Sequence, residues 1–259
     1  MRRNRPGRSR AGTGERTTRP AGNGDLSSRL AASSGTGERP PKPLDLADIA
    51  LQQAAGRTWL REHFAVSRET MERLDVYVAM LTDWQTRMNL VAPSTLGDVW
   101  RRHVADSLSL ERLLPEFARS VDLGSGGGLP ALVIAACRPD RAVDMVESSR
   151  KKAAFLAAAC AEMGVTGSVH PIRIETAGAV LGRAEVVTAR ALASLDDLLA
   201  MVAPHISRET PCFFQKGRSH EQEIAAATAN WKFTMVIHES QVEADSVILE
   251  VAGITRRQG

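Results

Sequence analysis

An α/β architecture is expected from this chain: a doubly wound, Rossmann-like parallel sheet closed by a terminal β-hairpin, with a small helical subdomain ahead of it. An apolar run over residues 120–123 passes into four glycines within five residues (Gly124, Gly126, Gly127, Gly128), then into a helix over 129–137 with Pro130 in its first turn. Strand-like and helix-like runs alternate beyond it. The last two runs, 233–239 and 245–251, are both strands, which turns a pure βαβ series into one with a closing hairpin.

The glycine turn carries the chemistry. Glycines crowd such a turn because the backbone must approach a ligand closely and take φ values that a Cβ forbids. The unpaired N–H groups of the following helix point at the same spot, so a nucleotide-type ligand is the first reading and a glycine-rich surface turn the bland one. A dinucleotide fingerprint wants glycine at the first, third and sixth positions; Gly124 and Gly126 fit, but the sixth is Leu129. The run 142–146 reads as a second strand ending in Glu147, an acid able to accept hydrogen bonds from a ribose. NAD and S-adenosylmethionine share that ribose. A Gly-x-Gly-x-Gly turn after an acid, here Asp122, is the form that takes S-adenosylmethionine.

In chain order, residues 1–44 are rich in Gly, Ser, Thr, Pro and Arg with little to bury, so a disordered tail is expected. Residues 1–40 hold nine arginines against three acids, which leaves residues 41–259 with a net charge of −3 against +3 for the whole chain. The basic excess therefore lies in the tail. It serves either as sequence-independent attraction to a polyanion such as RNA or as an inert extension, including one from an upstream start codon. No apolar stretch follows the first arginines, so a secretory leader is not expected, and no run is long enough to span a membrane. Hydrophobic residues at 43% and charged ones at 24% suit a globular chain with a full core. Cys137, Cys160 and Cys212 are odd in number and far apart, as reduced core thiols of a cytoplasmic protein would be.

Residues 45–117 read as the helical subdomain. Leu74, Tyr77, Val78, Leu81, Trp84 and Met88 make one apolar stripe on a helix over 68–89, stopped by Pro93. A second helix spans 98–114, ended by Pro115. His103 and Asp106, three apart, share a face of it; a structural His–Asp hydrogen bond and a catalytic role are the two readings, and no third ligand makes a metal site. Residues 118–259 form the ligand-binding domain. After Glu147 come a helix over 149–163 ended by Gly164, strands over 168–172 and 184–189, and a helix over 194–205 with Ser194 as N-cap. A strand over 211–215 and a helix over 219–231 lead to the final hairpin. Ligands of such sheets sit beyond the carboxyl ends of the strands. Gly124, Glu147, Glu175, Arg190 and Lys216 all fall at such ends, one per strand.

These residues resemble the glucose-inhibited division protein B family, the bacterial small-subunit ribosomal RNA (guanine-N7) methyltransferases. The resemblance lies in residues 88–91 (Met-Asn-Leu-Val), 102–108 (Arg-His-Val-Ala-Asp-Ser-Leu), the 122–130 loop, Glu147-Ser148, 151–156, 190–195 (Arg-Ala-Leu-Ala-Ser-Leu) and Lys216-Gly217, and covers roughly residues 45–251. It implies a class I methyltransferase sheet and S-adenosylmethionine as cofactor, with family contacts falling on Gly124, Leu129, Ile174, Glu175 and Arg190. Asp122 and Gly126 belong to the general methyltransferase loop, Asp122 beside the methionine end, and Glu147 lies at the ribose. The implied partner is 16S ribosomal RNA within the small-subunit particle, with no membrane and a monomer as the default. Two positions depart from common family forms: Gly127 stands where Ala or Pro is frequent, and Leu192 where an aromatic is common. The resemblance therefore carries no stacking aromatic for the guanine to this chain.

Guanine N7 has an in-plane lone pair, so its methylation requires no general base, only positioning in line with the S–CH₃ bond. Arg190 is the candidate for touching both donor and base, against a plain salt bridge to Glu175 or Asp122. Arg101, Arg102, His103, Lys216 and Arg218 are the candidates for RNA contacts. A small-molecule methyltransferase would share the cofactor half but want an aromatic-lined lid, and this chain has 4% aromatics. A non-catalytic RNA-binding module would tolerate loss of Glu147 or a blocked glycine loop, neither of which has occurred.

Overall fold

The computed structural model describes residues 46–243 and 245–257; the basic tail over residues 1–44, expected to be disordered, lies outside the described residues. Strands β1 (Arg119–Leu123), β2 (Ala142–Val146), β3 (Gly167–His170), β4 (Val186–Arg190), β5 (Cys212–Lys216), β6 (Trp231–Glu239) and β7 (Val247–Arg256) form one sheet in the order β3-β2-β1-β4-β5-β7-β6. The first five are mutually parallel, and β7 runs antiparallel between β5 and β6. The expected doubly wound sheet with its closing hairpin is what is observed. The order reverses between β1 and β4, which places a crevice at the carboxyl ends of those two strands, where ligands of such sheets bind.

Alternation along the strands feeds two apolar layers. Phe213 and Ile248 face one cluster; Cys212, Phe214 and Leu249, one residue away, face the other. The first cluster holds helices α4 (Ala131–Cys137) and α5 (Arg150–Met163), and over them α1 (Leu46–His63), α2 (Arg68–Gln85) and α3 (Asp106–Glu111). The second holds α6 (Gly178–Leu181), α7 (Leu195–Val202) and part of α8 (His220–Asn230). Helix α4 is buried on every side from Ala131 to Ala136, which explains why its sequence is apolar throughout and not striped.

The helical region departs from its expected boundaries. Helix α2 starts at the Ser67 cap as the stripe suggests, but ends at Gln85, four residues early. The Gln85 side chain then takes over: Oε1 accepts from the N–H groups of Leu90 and Val91, and Nε2 donates to the Val91 carbonyl. One amide thus satisfies the backbone of a tight return that brings Leu90 down on the glycine loop. The expected helix over 98–114 is a π-helical stretch, Trp100–Ala105, running into the short α3. The final strands are longer than expected, pairing from Trp231 with Arg256 to Glu239 with Val247 across a register shift at Lys232 to Thr234.

Helix α2 also reaches the loop directly. The fully buried Tyr77 hydroxyl donates to the Gly127 carbonyl at 2.7 Å, across fifty residues of chain. Tyr77→Phe leaves that carbonyl buried without its donor, so urea unfolding should show a loss of about 1–3 kcal/mol with an unchanged m value.

Candidate active site

The site begins where β1 ends. Gly124, Gly126 and Gly128 take φ of +65°, +51° and +88°, the left-handed region that favours glycine. Two further approaches close on the loop. A Cβ on Gly127 would stand 2.8 Å from the Leu90 carbonyl oxygen, and one on Gly124 would stand 2.6 Å from Leu192 Cδ1. Gly127 is therefore matched to a backbone pressed against it. Leu192 lies over Gly124, beside Ala191 at φ +49°.

Glu147 fixes the loop from the neighbouring strand. Its Oε2 accepts from Gly126 N at 2.9 Å and its Oε1 from Ser149 N at 2.7 Å. Each oxygen keeps a second lone pair for a further donor. Asp122 lies beneath the loop, about 1% exposed, with Oδ1 taking the Thr188 hydroxyl at 2.6 Å. Its Oδ2 is buried with no partner. Burial pushes its pKa up to about 7, against the lowering effect of the Ser125 and Thr188 hydroxyls. The N–H groups of Gly124 and Ser125 go to the Val146 carbonyl, that of Gly126 to Glu147 and that of Gly128 to the Ser125 carbonyl, so the buried acceptor beneath the loop and the spare lone pairs of Glu147 are what fit a ligand with a cationic group and hydroxyls. Leu129 is buried beyond the loop; half-buried Ile174 and exposed Glu175 occupy a 3₁₀ turn past the end of β3.

Arg190 ends β4, beside the glycine loop by the pairing of Leu123 with Ala189. Neither salt bridge considered for it, to Glu175 or to Asp122, is the one formed. Its Nη2 donates to His103 Nδ1 at 2.8 Å and to the Arg102 carbonyl at 3.3 Å, and its Nε lies 3.6 Å from Asp106 Oδ2. The expected direct His103–Asp106 hydrogen bond is replaced by this bridge through Arg190. The physical reason is the π-helical winding: with i→i+5 bonding, side chains three apart no longer superpose.

Hydrogen-bond accounting assigns the imidazole. The Thr95 hydroxyl donates to the Ala92 carbonyl, so at 2.8 Å from His103 Nε2 it accepts. His103 is therefore the Nε2–H tautomer, and Nδ1 offers its lone pair to Arg190. Burial, then the charges of Arg190 and Arg102, lowers its pKa to about 3. Asp106 takes the Gln215 amide at 2.6 Å and the Ser240 hydroxyl at 3.4 Å; burial raises its pKa, partly offset by Arg190.

The candidate RNA contacts separate on the structure. His103 faces inward. Lys216 is only 8% exposed, with Nζ on the Ala193 carbonyl at 2.5 Å and on Glu223 at 2.8 Å, so it ties the loop after β4 to helix α8 and does not offer its charge to a phosphate. Arg101 lies over the Trp59 ring, 5.1 Å from its centre. Arg102 and Arg218 are exposed. Tyr77, Thr95, Thr188, Gln215 and Ser240 were missed as positioning residues: Tyr77 reads as stripe, Thr188 and Gln215 as strand, Thr95 and Ser240 as connections, and only Gln215, next to Lys216 at a strand end, carried a positional signal.

The model of the family described as GidB, rRNA small subunit methyltransferase G, matches residues 70–250. Among curated relatives, ribosomal RNA small subunit methyltransferase G of Sinorhizobium fredii is 48% identical over 198 residues, covering 74% of this chain and 92% of its own. The proteins of the same name from Rhizobium meliloti (48%, covering 74% and 93%) and Rhizobium rhizogenes (47%, covering 74% and 96%) are similar to the same extent.

His103 resonances should report a neutral Nε2–H ring from pH 8 down to pH 5, titrating only near 3. A nitrogen-15 titration midpoint near the ordinary value of about 6.5 would refute the assigned network.

Proposed function

The chain belongs to the family of rRNA small subunit methyltransferase G, and we propose that it transfers a methyl group from S-adenosylmethionine to N7 of one guanine in 16S ribosomal RNA. The reading is carried by the unpartnered Asp122 Oδ2 beneath the left-handed glycine loop. Asp122, Gly124, Gly126, Leu129, Glu147, Ile174, Glu175 and Arg190 hold the cofactor. Asp122 receives the ammonium of its methionine end, and Glu147 gives its remaining lone pairs to the ribose hydroxyls. Bound S-adenosylmethionine supplies an electrophilic methyl group on a sulfonium sulfur.

The protein's part is positioning and charge, a contribution worth roughly 7–11 kcal/mol where two reactants are held in line. No general base is needed at N7, and His103 is unsuited to be one: its single lone pair is occupied by Arg190 and its pKa is near 3. Arg190 is the residue assigned to both the donor and the guanine. A donor placed on N7 would occupy the attacking lone pair, so Arg190 serves O6 alone and not the usual O6/N7 fork. His103, Asp106 and the Arg102 carbonyl fix its direction. The enzyme acts in the cytoplasm, on the small-subunit particle, as a monomer; among the described residues no helix is long and apolar enough to cross a membrane.

Two measurements test this. N7-methylguanine mapped by chemical cleavage of small-subunit rRNA should appear at one guanine only when the protein is present; an unchanged cleavage pattern rejects the reaction. By calorimetry, S-adenosylmethionine affinity should rise with pH toward and through 7, by up to about tenfold per unit below the Asp122 pKa, because the ammonium wants the ionised carboxylate. Asp122→Asn should bind weakly and lose that rise.

A further inference from the structure

At the carboxyl end of β5, bordered by Arg102 whose carbonyl accepts from Arg190, lies an open cleft of about 540 Å³ lined by Arg102, Gly217, Arg218, Glu243, Asp245 and Ser246. Its two arginines come from separate elements, the π-helical stretch and the loop after β5. Its two acids come from one place, the connection between β6 and β7. Arg102 Nε donates to Glu243 Oε1 and Arg218 Nε to Asp245 Oδ2, each at 2.7 Å. A smaller hollow of about 270 Å³ shares Arg102 and Glu243 and extends toward Trp59 and Arg101.

From this arrangement we propose that the cleft is the track for the RNA backbone flanking the target guanine, and that Glu243 and Asp245 stand in for its phosphates in the free protein. The proposal rests on the rRNA methyltransferase reading. Three observations carry it. Both pairs are solvent-exposed, with side-chain exposures of 46% and 36% for Arg102 and Glu243 and 87% and 57% for Arg218 and Asp245. Such pairs are weakly held and readily exchanged. Each acid engages its arginine through Nε alone, whereas Arg57 grips Asp75 with both Nε and Nη2; the planar fork that suits a phosphate is thus left half used.

The third observation is the connection to the reacting residues. Arg102 offers its carbonyl to Arg190 while its guanidinium faces the cleft. The Ser240 hydroxyl donates to Asp106, which pairs with Arg190, and accepts from the N–H groups of Val242 and Glu243. Glu243 is therefore tethered to the same network that directs Arg190. A polyanion with regularly spaced charges that can take both arginines at once competes well with two single carboxylates, whereas a lone small anion takes only one. With residues 41–259 at a net charge of −3, the masking acids keep random RNA off, and structured rRNA engages by exchange.

The test measures affinity for purified small-subunit particles as a function of salt, for wild type, Glu243→Gln, Asp245→Asn and Arg218→Ala, with S-adenosylmethionine affinity by calorimetry as the control. Each acid-to-amide change should tighten particle binding by up to about fivefold at low salt, the scale of one released exposed pair. Arg218→Ala should weaken binding and flatten the plot of log affinity against log salt by about 0.7 to 0.9, one phosphate's worth. S-adenosylmethionine affinity should stay put in all three. Acid variants that bind the particle no better than wild type, or Arg218→Ala with an unchanged salt slope, overturn the proposal. Loss of the methyltransferase reading shows differently, as a wild-type protein that leaves no N7-methylguanine in the rRNA.

Discussion

The loop from Gly124 to Gly128 is held from three sides, and the geometry of the site follows from that confinement. Glu147 draws Gly126 toward β2, Tyr77 draws the Gly127 carbonyl toward α2, and the Leu90 carbonyl leaves no room for a Cβ at 127. Left-handed glycines are free to wander in an unfolded chain, so a loop made of them is expensive to fix. Here each restraint is a hydrogen bond or contact to a different element. The loop is then preorganised for its ligand, and its ordering cost is met by folding and not by binding.

Desolvation acts in opposite directions on Asp122, beneath the glycine loop, and on His103, against Arg190. It raises Asp122 toward 7 and lowers His103 toward 3, because in each case burial disfavours the charged form. The folded state holds the Asp122 proton that an unfolded aspartate has released between about pH 4 and 7, so this group makes folding less favourable as pH rises through that window. His103 has the opposite sign: an unfolded imidazole takes up a proton below about 6.5 that the folded one refuses until 3, so folding weakens as pH falls. A cofactor ammonium placed on Asp122 Oδ2 would remove the first penalty, whereas Arg190 already exploits the second.

What could be read from sequence divides along a physical line. The alternation of strands and helices, the closing hairpin, the glycine loop and the acids at strand ends were legible because each follows from local pattern: apolar runs, glycine spacing, the position after a strand. Glu147, Arg190 and Asp122 were singled out in this way, and the structure sets all three around the glycine loop and the end of β4. The partners that orient them were not. Tyr77 counts as one more apolar residue in a stripe, and nothing local marks its hydroxyl as bonding fifty residues away. Lys216 looked like an exposed cation in a Lys-Gly-Arg turn, yet Glu223 and the Ala193 carbonyl draw it inside. The His103–Asp106 spacing predicts one helix face only if the helix is α, and the π winding there cannot be seen from composition.

The helical layer cannot be regarded as a detachable lid on a self-sufficient cofactor domain. Helix α2 and the return after it shape the glycine loop; the π-helical stretch and α3 aim Arg190 through His103 and Asp106. The glycine loop and Arg190 thus lean on the same few helices, whose apolar residues belong to one buried cluster with α4 and α5. A substitution in that cluster that shifts α2 by a fraction of an ångström moves both halves of the site together. Near-attack geometry tolerates little misplacement. Defects introduced there should therefore behave as coupled losses of methyl-donor affinity and turnover, whereas a change at the exposed Asp245, whose partner is Arg218, touches the rim alone.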